Sequence, residues 1–242
     1  MRRRQFLAGS VATATLLAGC GGASGGNSTG DGTSTVTTGT DAGGASGGGF
    51  TLPDHPALDG IGSQPTLGPP PGEAPGLIVA FEDPSCPTCA TFESRVVPEI
   101  RANLVDPEKA TFVFRSYPVI YPWGEPATHA LEATFATDEA AFWDLLAHYF
   151  DNQDTYRGLD AGGVFDRTEA HLAETTALDA TAILDRARNG DADAAVTSDL
   201  EAGQAAGAGR VTPHLFLFAN GEYLTKASGS ISYSVIESAL GV

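Results

Sequence analysis

Cysteine is scarce in this 242-residue chain, which has only Cys20, Cys86 and Cys89. Three thiols cannot complete a four-thiolate zinc site. The five histidines are scattered, with no His-x3-5-His pair to complete a mixed one. Methionine occurs once, so no Met cluster stands beside the thiols to favour soft copper ligation. Lysine is nearly absent, at Lys109 and Lys226, and 13 basic residues face 30 acidic ones for a formal charge of −17. A charge of that sign and size excludes nucleic-acid binding.

The chain begins with a charged head, Arg2-Arg3-Arg4-Gln5-Phe6-Leu7. The run that follows, Val11 to Ala18, is too short and too polar to span a bilayer. Arg3-Arg4-Gln5-Phe6-Leu7 resembles a twin-arginine export signal, and Leu17-Ala18-Gly19-Cys20 resembles a lipobox. Residues 1–19 are therefore read as a leader and Cys20 as a lipidated residue; the plain alternative is a spare thiol. Residues 20–49 are Gly, Ser, Thr, Ala and Asp with almost nothing apolar, which reads as a flexible tether. Without the three leader arginines the rest carries 10 basic against 30 acidic residues, or −20. The bland reading is a solvated acidic surface; strong acidity with so little lysine also resembles proteins of extreme halophiles. The expected location is the cell envelope, at the outer face of the cytoplasmic membrane.

Residues 50–242 are long enough for one domain with a core of its own. Within them Cys86 and Cys89 stand two residues apart, after the apolar run Leu77-Ile78-Val79-Ala80-Phe81. Phe92, Val96, Ile100 and Leu104 follow at spacings of four, one stripe of a helix. The pair is thus expected where a buried strand hands over to a helix, with Cys86 at the first turn. Free amides and the helix dipole stabilise a thiolate there, and the thiolate is the form that attacks disulfides. Cys89, one turn on, can attack Cys86 and close a disulfide. Half of a zinc knuckle is the competing reading of Cys-x-x-Cys.

Pro98 predicts a break or kink near Ser94, and residues 103–109 read as a loop. Thr111 to Tyr117 is β-branched and aromatic, and reads as the next strand. Residues 124–207 are helical in pattern, with segments at 128–135, 139–150, 168–176, 179–188 and 191–206. Phe142 and Trp143 on the second of these are either a substrate-facing wall or core packing. Strands return at Leu215 to Phe218, Asn220-Gly221 signals a hairpin, and residues 232–240 close the chain as a helix.

Phe81-Glu82-Asp83-Pro84-Ser85-Cys86-Pro87-Thr88-Cys89 resembles the DsbA-like thiol-disulfide oxidoreductases of the thioredoxin superfamily. Phe142-Trp143, with Phe150-Asp151-Asn152-Gln153 at the helix end, is similar to a helix of the same proteins, and Thr212-Pro213 is similar to their cis-proline loop. The resemblance implies an α/β thioredoxin-like fold with a helical insertion at about 124–207. It implies a redox-active disulfide, Cys86–Cys89, in place of any cofactor or metal. Cys86 would be the nucleophile, Cys89 the resolving thiol, and Thr212 and Pro213 the binders of substrate backbone. Pro87 and Thr88 would tune the pair. Thr88 stands where DsbA has histidine and adds no positive charge, so a less oxidising disulfide is expected. Many relatives hold a buried acid six residues before the first cysteine. Ala80 is there instead, leaving Glu82 and Asp83 as acids in another register. His214, beside Pro213, is either a further tuning group or a neutral strand histidine.

The expected function is extracytoplasmic disulfide exchange with exported proteins that carry thiols or disulfides, served by a membrane redox partner. A reductase or isomerase of the same fold, a thiol-based copper chaperone and a non-catalytic binding module are the alternatives.

Overall fold

The computed structural model describes residues 49–242. The leader, Cys20 and nearly all of the tether lie outside the described residues.

Five strands form one sheet: β1 (Thr66–Leu67), β2 (Gly76–Glu82), β3 (Ala110–Ser116), β4 (His214–Ala219) and β5 (Glu222–Ser228). Their order is β1-β3-β2-β4-β5. The β2–β3 pair is parallel and the other pairs are antiparallel. β2 is central and buried along its whole length, which explains its unbroken apolar run. Successive side chains face opposite sides of the sheet. Ile78 and Ala80 join the larger core and Leu77, Val79 and Phe81 the smaller one.

The larger core is covered by α1 (Pro87–Arg95), α2 (Val97–Ile100), all but the last helix of the insertion, and α9 (Tyr233–Leu240). The insertion runs through α3 (Gly124–Phe135), α4 (Glu139–Asp151), α5 (Gln153–Tyr156), α6 (Ala161–Thr175), α7 (Ala180–Arg188) and α8 (Asp193–Ala206), between β3 and β4 as the resemblance implied. Aspartates start three of these helices. Asp138, Asp160 and Asp179 accept from the N–H of Ala141, Gly163 and Ala182, each satisfying a donor the helix cannot.

The smaller core is closed by α8 and the turn at Pro56–Leu58. Gly203 on α8 lies against Tyr117, where any Cβ would clash at 2.5 Å. Arg115 ties this layer together. It is fully buried, pairs with Asp199 of α8 at 2.7 Å and donates to the carbonyls of Ala57 and Asp59.

The helix after Cys89 stops at Arg95 and restarts at Val97, in line with Pro98. The loop expected at residues 103–109 is shorter. Helical turns continue through a π-helical segment, Arg101–Val105, because Leu104 and Val105 are buried. Likewise α6 begins at Ala161, seven residues before Thr168. Its Gly162-Gly163 pair hides the helix from a propensity reading, but the Asp160 cap and buried Val164 support it. The hairpin turn falls on Asn220-Gly221, both at positive φ, the geometry that favours this dipeptide.

A candidate dithiol active site at the start of the first long helix

The loop between β2 and α1 is built by hydrogen bonds to Asp83. Its Oδ1 accepts from Ser85 N at 2.7 Å and Ser85 Oγ at 2.6 Å. Its Oδ2 accepts from the N–H groups of Val119 and Ile120 at 2.8 and 2.7 Å. Cys86 N donates to the Asp83 carbonyl at 2.9 Å. Gly124, at the start of α3, lies so close that a Cβ there would strike Asp83 Oδ1 and Ser85 Oγ. With four donors on its carboxylate, Asp83 is a staple for the loop. A second clamp comes from Gln153, whose amide donates to the carbonyls of Pro84 and Cys86 at 2.8 and 2.9 Å.

Cys86 is the N-cap of α1 and Pro87 its first residue, a place where a missing N–H costs nothing. The two cysteines are not bonded to each other. The Cys86 thiol is pulled down to about 6. The largest cause is a hydrogen bond from Cys89; Thr212 and the N–H groups of Cys89 and Thr88 assist, against the effect of burial. Cys89 moves the other way. Burial pushes it well above the usual thiol range, and its bond to Cys86 and the charge of Glu82 push it further. One sulfur is therefore a thiolate near neutrality and the other holds its proton. Cys86 is more enclosed than its position suggested, at 4 % exposed against 0 % for Cys89. Its sulfur lies 3.4 Å from the carbonyl of Thr212, which covers it.

Thr212-Pro213 is a cis peptide, as expected. Thr212 is buried, and its hydroxyl lies within reach of the two thiols, with no other hydrogen-bond partner among the described residues. Pro213 leads into β4, which lies beside β2 and so brings this turn to the cysteines. His214 does not join them. It pairs with Phe81 in the sheet and stacks on Phe216, on the face opposite Ala80 and the active-site helix. Burial lowers its pKa, and among the described residues neither ring nitrogen has a hydrogen-bond partner of good geometry. It is a neutral core histidine, one residue out of register for a tuning role.

Glu82 does reach the pair. It is fully buried on the same face as Ala80, and burial raises its pKa well above the usual range, with Glu93 and Cys86 adding to the effect. Among the described residues, neither Glu82 oxygen, nor Glu93 Oε1, has an ordinary donor. What remains to them is each other and the Cys89 thiol. Two carboxyl groups in contact share a bond only when one is protonated. Burial pushes Glu93 up to about 7 as well.

Glu93 and Gln153 were not singled out by the sequence reading. Glu93 is seven residues after Cys86, two helical turns, and that spacing was the available signal. Gln153 lay in a noted motif without a role. Phe142 proves to be core, fully buried against Phe114, Phe135 and Trp143. Trp143 packs on Phe114 and is only partly covered. Among the described residues, no group of three or more His, Cys, Asp or Glu is arranged to hold a metal ion.

A thioredoxin family model matches residues 63–238. The probable disulfide bond formation protein D of Bacillus cereus is 30% identical over 81 residues, 34% of this chain and 38% of that protein. The disulfide bond formation protein D of Bacillus subtilis is 29% identical over 106 residues, 44% of this chain and 46% of that protein. The chain thus spans less than half the length of these curated relatives. The oxidised structure of BdbD from Bacillus subtilis superposes with a TM-score of 0.60 at 23% identity, covering 80% of this chain and all of the other.

Proposed function

The chain belongs to the thioredoxin family, and from that premise we propose that it is a thiol-disulfide oxidoreductase acting on exported proteins through Cys86 and Cys89. The observation that carries this reading is the split between two thiols one helical turn apart. Cys86 is lowered to about 6 and Cys89 is raised well above the usual range. A dithiol arranged to attack once and resolve once needs that asymmetry.

In the oxidising direction a substrate thiolate attacks Cys86 Sγ of the Cys86–Cys89 disulfide. The disulfide breaks and the Cys89 thiolate leaves, taking a proton from the Glu82–Glu93 pair. A second substrate thiolate then attacks the substrate sulfur of the mixed disulfide and expels Cys86 as a thiolate. The substrate loses two electrons and the Cys86–Cys89 pair gains them. Thr212 and Pro213 hold the substrate backbone across Cys86. Because a stabilised thiolate favours the reduced pair, a low Cys86 pKa makes the disulfide oxidising. A value of about 6 falls between the figures of about 7 for thioredoxin and about 3.5 for DsbA. That supports disulfide formation as the direction, with an oxidising strength short of DsbA.

The arginine head and Cys20 support export and lipid anchoring outside the cytoplasm, where disulfides persist. No described helix is long and apolar enough to cross a membrane. A membrane redox partner would reoxidise the pair.

The test mixes the oxidised full chain with a reduced, unfolded two-cysteine protein and follows loss of free thiols. Thiol loss well above the spontaneous rate, abolished in Cys86→Ser, is expected. A rate equal to the spontaneous one contradicts the proposal.

A further inference from the structure

We propose that Gln153 is a positioning residue for Cys86, a clamp from the helical insertion that holds the Cys86 backbone in the orientation from which its sulfur attacks. This rests on the oxidoreductase reading of the dithiol.

Both hydrogens of the Gln153 amide are used, one on the Pro84 carbonyl at 2.8 Å and one on the Cys86 carbonyl at 2.9 Å. These carbonyls bracket Ser85 and Cys86. The Cys86 carbonyl also accepts the first helical bond, from Ala90 N at 3.1 Å. Two donors occupy its two lone pairs and fix the peptide plane between Cys86 and Pro87. Cys86 has the extended backbone of an N-cap, φ −80° and ψ 119°. That conformation swings its side chain over the N–H groups of Thr88 and Cys89, which stabilise the thiolate. A carbonyl free to turn would loosen the N-cap and take the sulfur off those amides.

The other hydrogen bonds of the Asp83 and Ser85 side chains come from the loop itself and from residues 119–121. Gln153 adds a tie from the far side, and the residues on either side of it are anchored. Asn152 Nδ2 donates to the His148 carbonyl at 2.9 Å, and His148 Nε2 meets Tyr156 Oη at 3.0 Å. The Tyr156 ring is stacked on Trp123 at 5.5 Å, just before α3. The insertion therefore delivers a rigid, neutral donor to the nucleophile's main chain. Glutamine suits the place because it donates twice without adding a charge beside the sulfur.

The experiment compares the unmodified full chain with Gln153→Glu and Gln153→Met, all reduced. Glutamate keeps the shape and replaces donor by acceptor; methionine keeps the volume and has no donor. The alkylation rate of Cys86 is measured against pH, with thermal unfolding in parallel. The midpoint is expected to rise by about one pH unit in Gln153→Glu and by less in Gln153→Met. In Gln153→Met, which adds no charge of its own, a tie that is structural only would lower the melting temperature and leave the midpoint in place, and that result overturns the proposal. If Gln153→Glu fails to fold, Gln153→Met decides alone. Thiol exchange by the unmodified chain is read separately. Its absence would overturn the oxidoreductase reading, while the midpoint comparison still decides the clamp.

Discussion

Asp199 and Glu82 are both buried carboxyl groups against the same sheet, one on each face, and they are treated in opposite ways. Asp199 is met by Arg115 at 2.7 Å, by Ser116 N at 2.8 Å and by the Gln64 amide at 2.9 Å. Burial raises its pKa, and every one of these groups opposes that rise. Its neighbour Glu132, raised to about 7 by burial and by Asp199, still accepts from Ser116 Oγ at 2.7 Å. Among the described residues, Glu82 has no cation and no ordinary donor, only Glu93 and a thiol. A satisfied buried acid fastens elements together. One left unsatisfied beside a sulfur is free to hold and release a proton.

The comparison breaks most visibly at Arg115. Arg115→Met should destabilise the chain by about 3–5 kcal/mol, because Asp199 is left charged and unpaired in the interior. Urea unfolding measures it. A loss under about 1 kcal/mol would mean that Asp199 does not depend on its partner. Replacing both groups, with Arg115→Met and Asp199→Leu together, should cost less than Arg115→Met alone.

Glu82→Gln should act in the opposite sense. The amide gives Glu93 a donor, so stability at pH 7 should rise by about 1 kcal/mol. Thiol exchange should slow by about tenfold or more, because Cys89 loses its proton partner. Both acids have folded pKa values above the ordinary 4.5, about 7 in the case of Glu93. Their stabilising effect is then complete below 4.5 and is lost as pH rises toward 7. Urea midpoints of the unmodified chain should fall across that window and fall less in Glu82→Gln. Equal slopes would place the titration elsewhere.

A smaller effect of opposite sign belongs to the insertion. His148 and His171 are stacked at 3.6 Å. Burial lowers both, His148 to about 4, with His171 and Arg167 adding to the effect and Asp151 opposing it. Glu174 and Asp144 oppose the shift at His171. Histidines held neutral in the fold favour it fully above 6.5, and that stability is lost as pH falls through 4. His171→Gln should lessen this acid sensitivity by on the order of 0.5 kcal/mol at pH 5. Unchanged acid unfolding would show that the stack does not titrate with folding.

Much of the active-site side was legible in the chain, because its determinants are local. The apolar run into Cys-Pro-Thr-Cys, the Pro98 break, the Asn220-Gly221 turn and Thr212-Pro213 each act within a few residues. The Arg115–Asp199 pair is separated by 84 residues, and no local pattern links an arginine in a strand to one of many acids. Between the two readings of His214, strand alternation decides for the neutral strand histidine, because one residue sets the face. Glu82 could be named but not chosen over Asp83 until the donors around each were known. Glu93 stood out by no motif and Gln153 lay in one without a role, since only the packing of α1 and the insertion brings them to the cysteines.

The central claim is that Cys86 is the reactive thiolate and Cys89 the protonated partner. The most direct measurement is alkylation of the reduced full chain from pH 4 to 10, with each cysteine peptide quantified by mass spectrometry. Cys86 is expected to be modified with a midpoint of about 6, while Cys89 stays unmodified at every pH where the chain remains folded. Modification of Cys89 at or below the midpoint of Cys86 would contradict it.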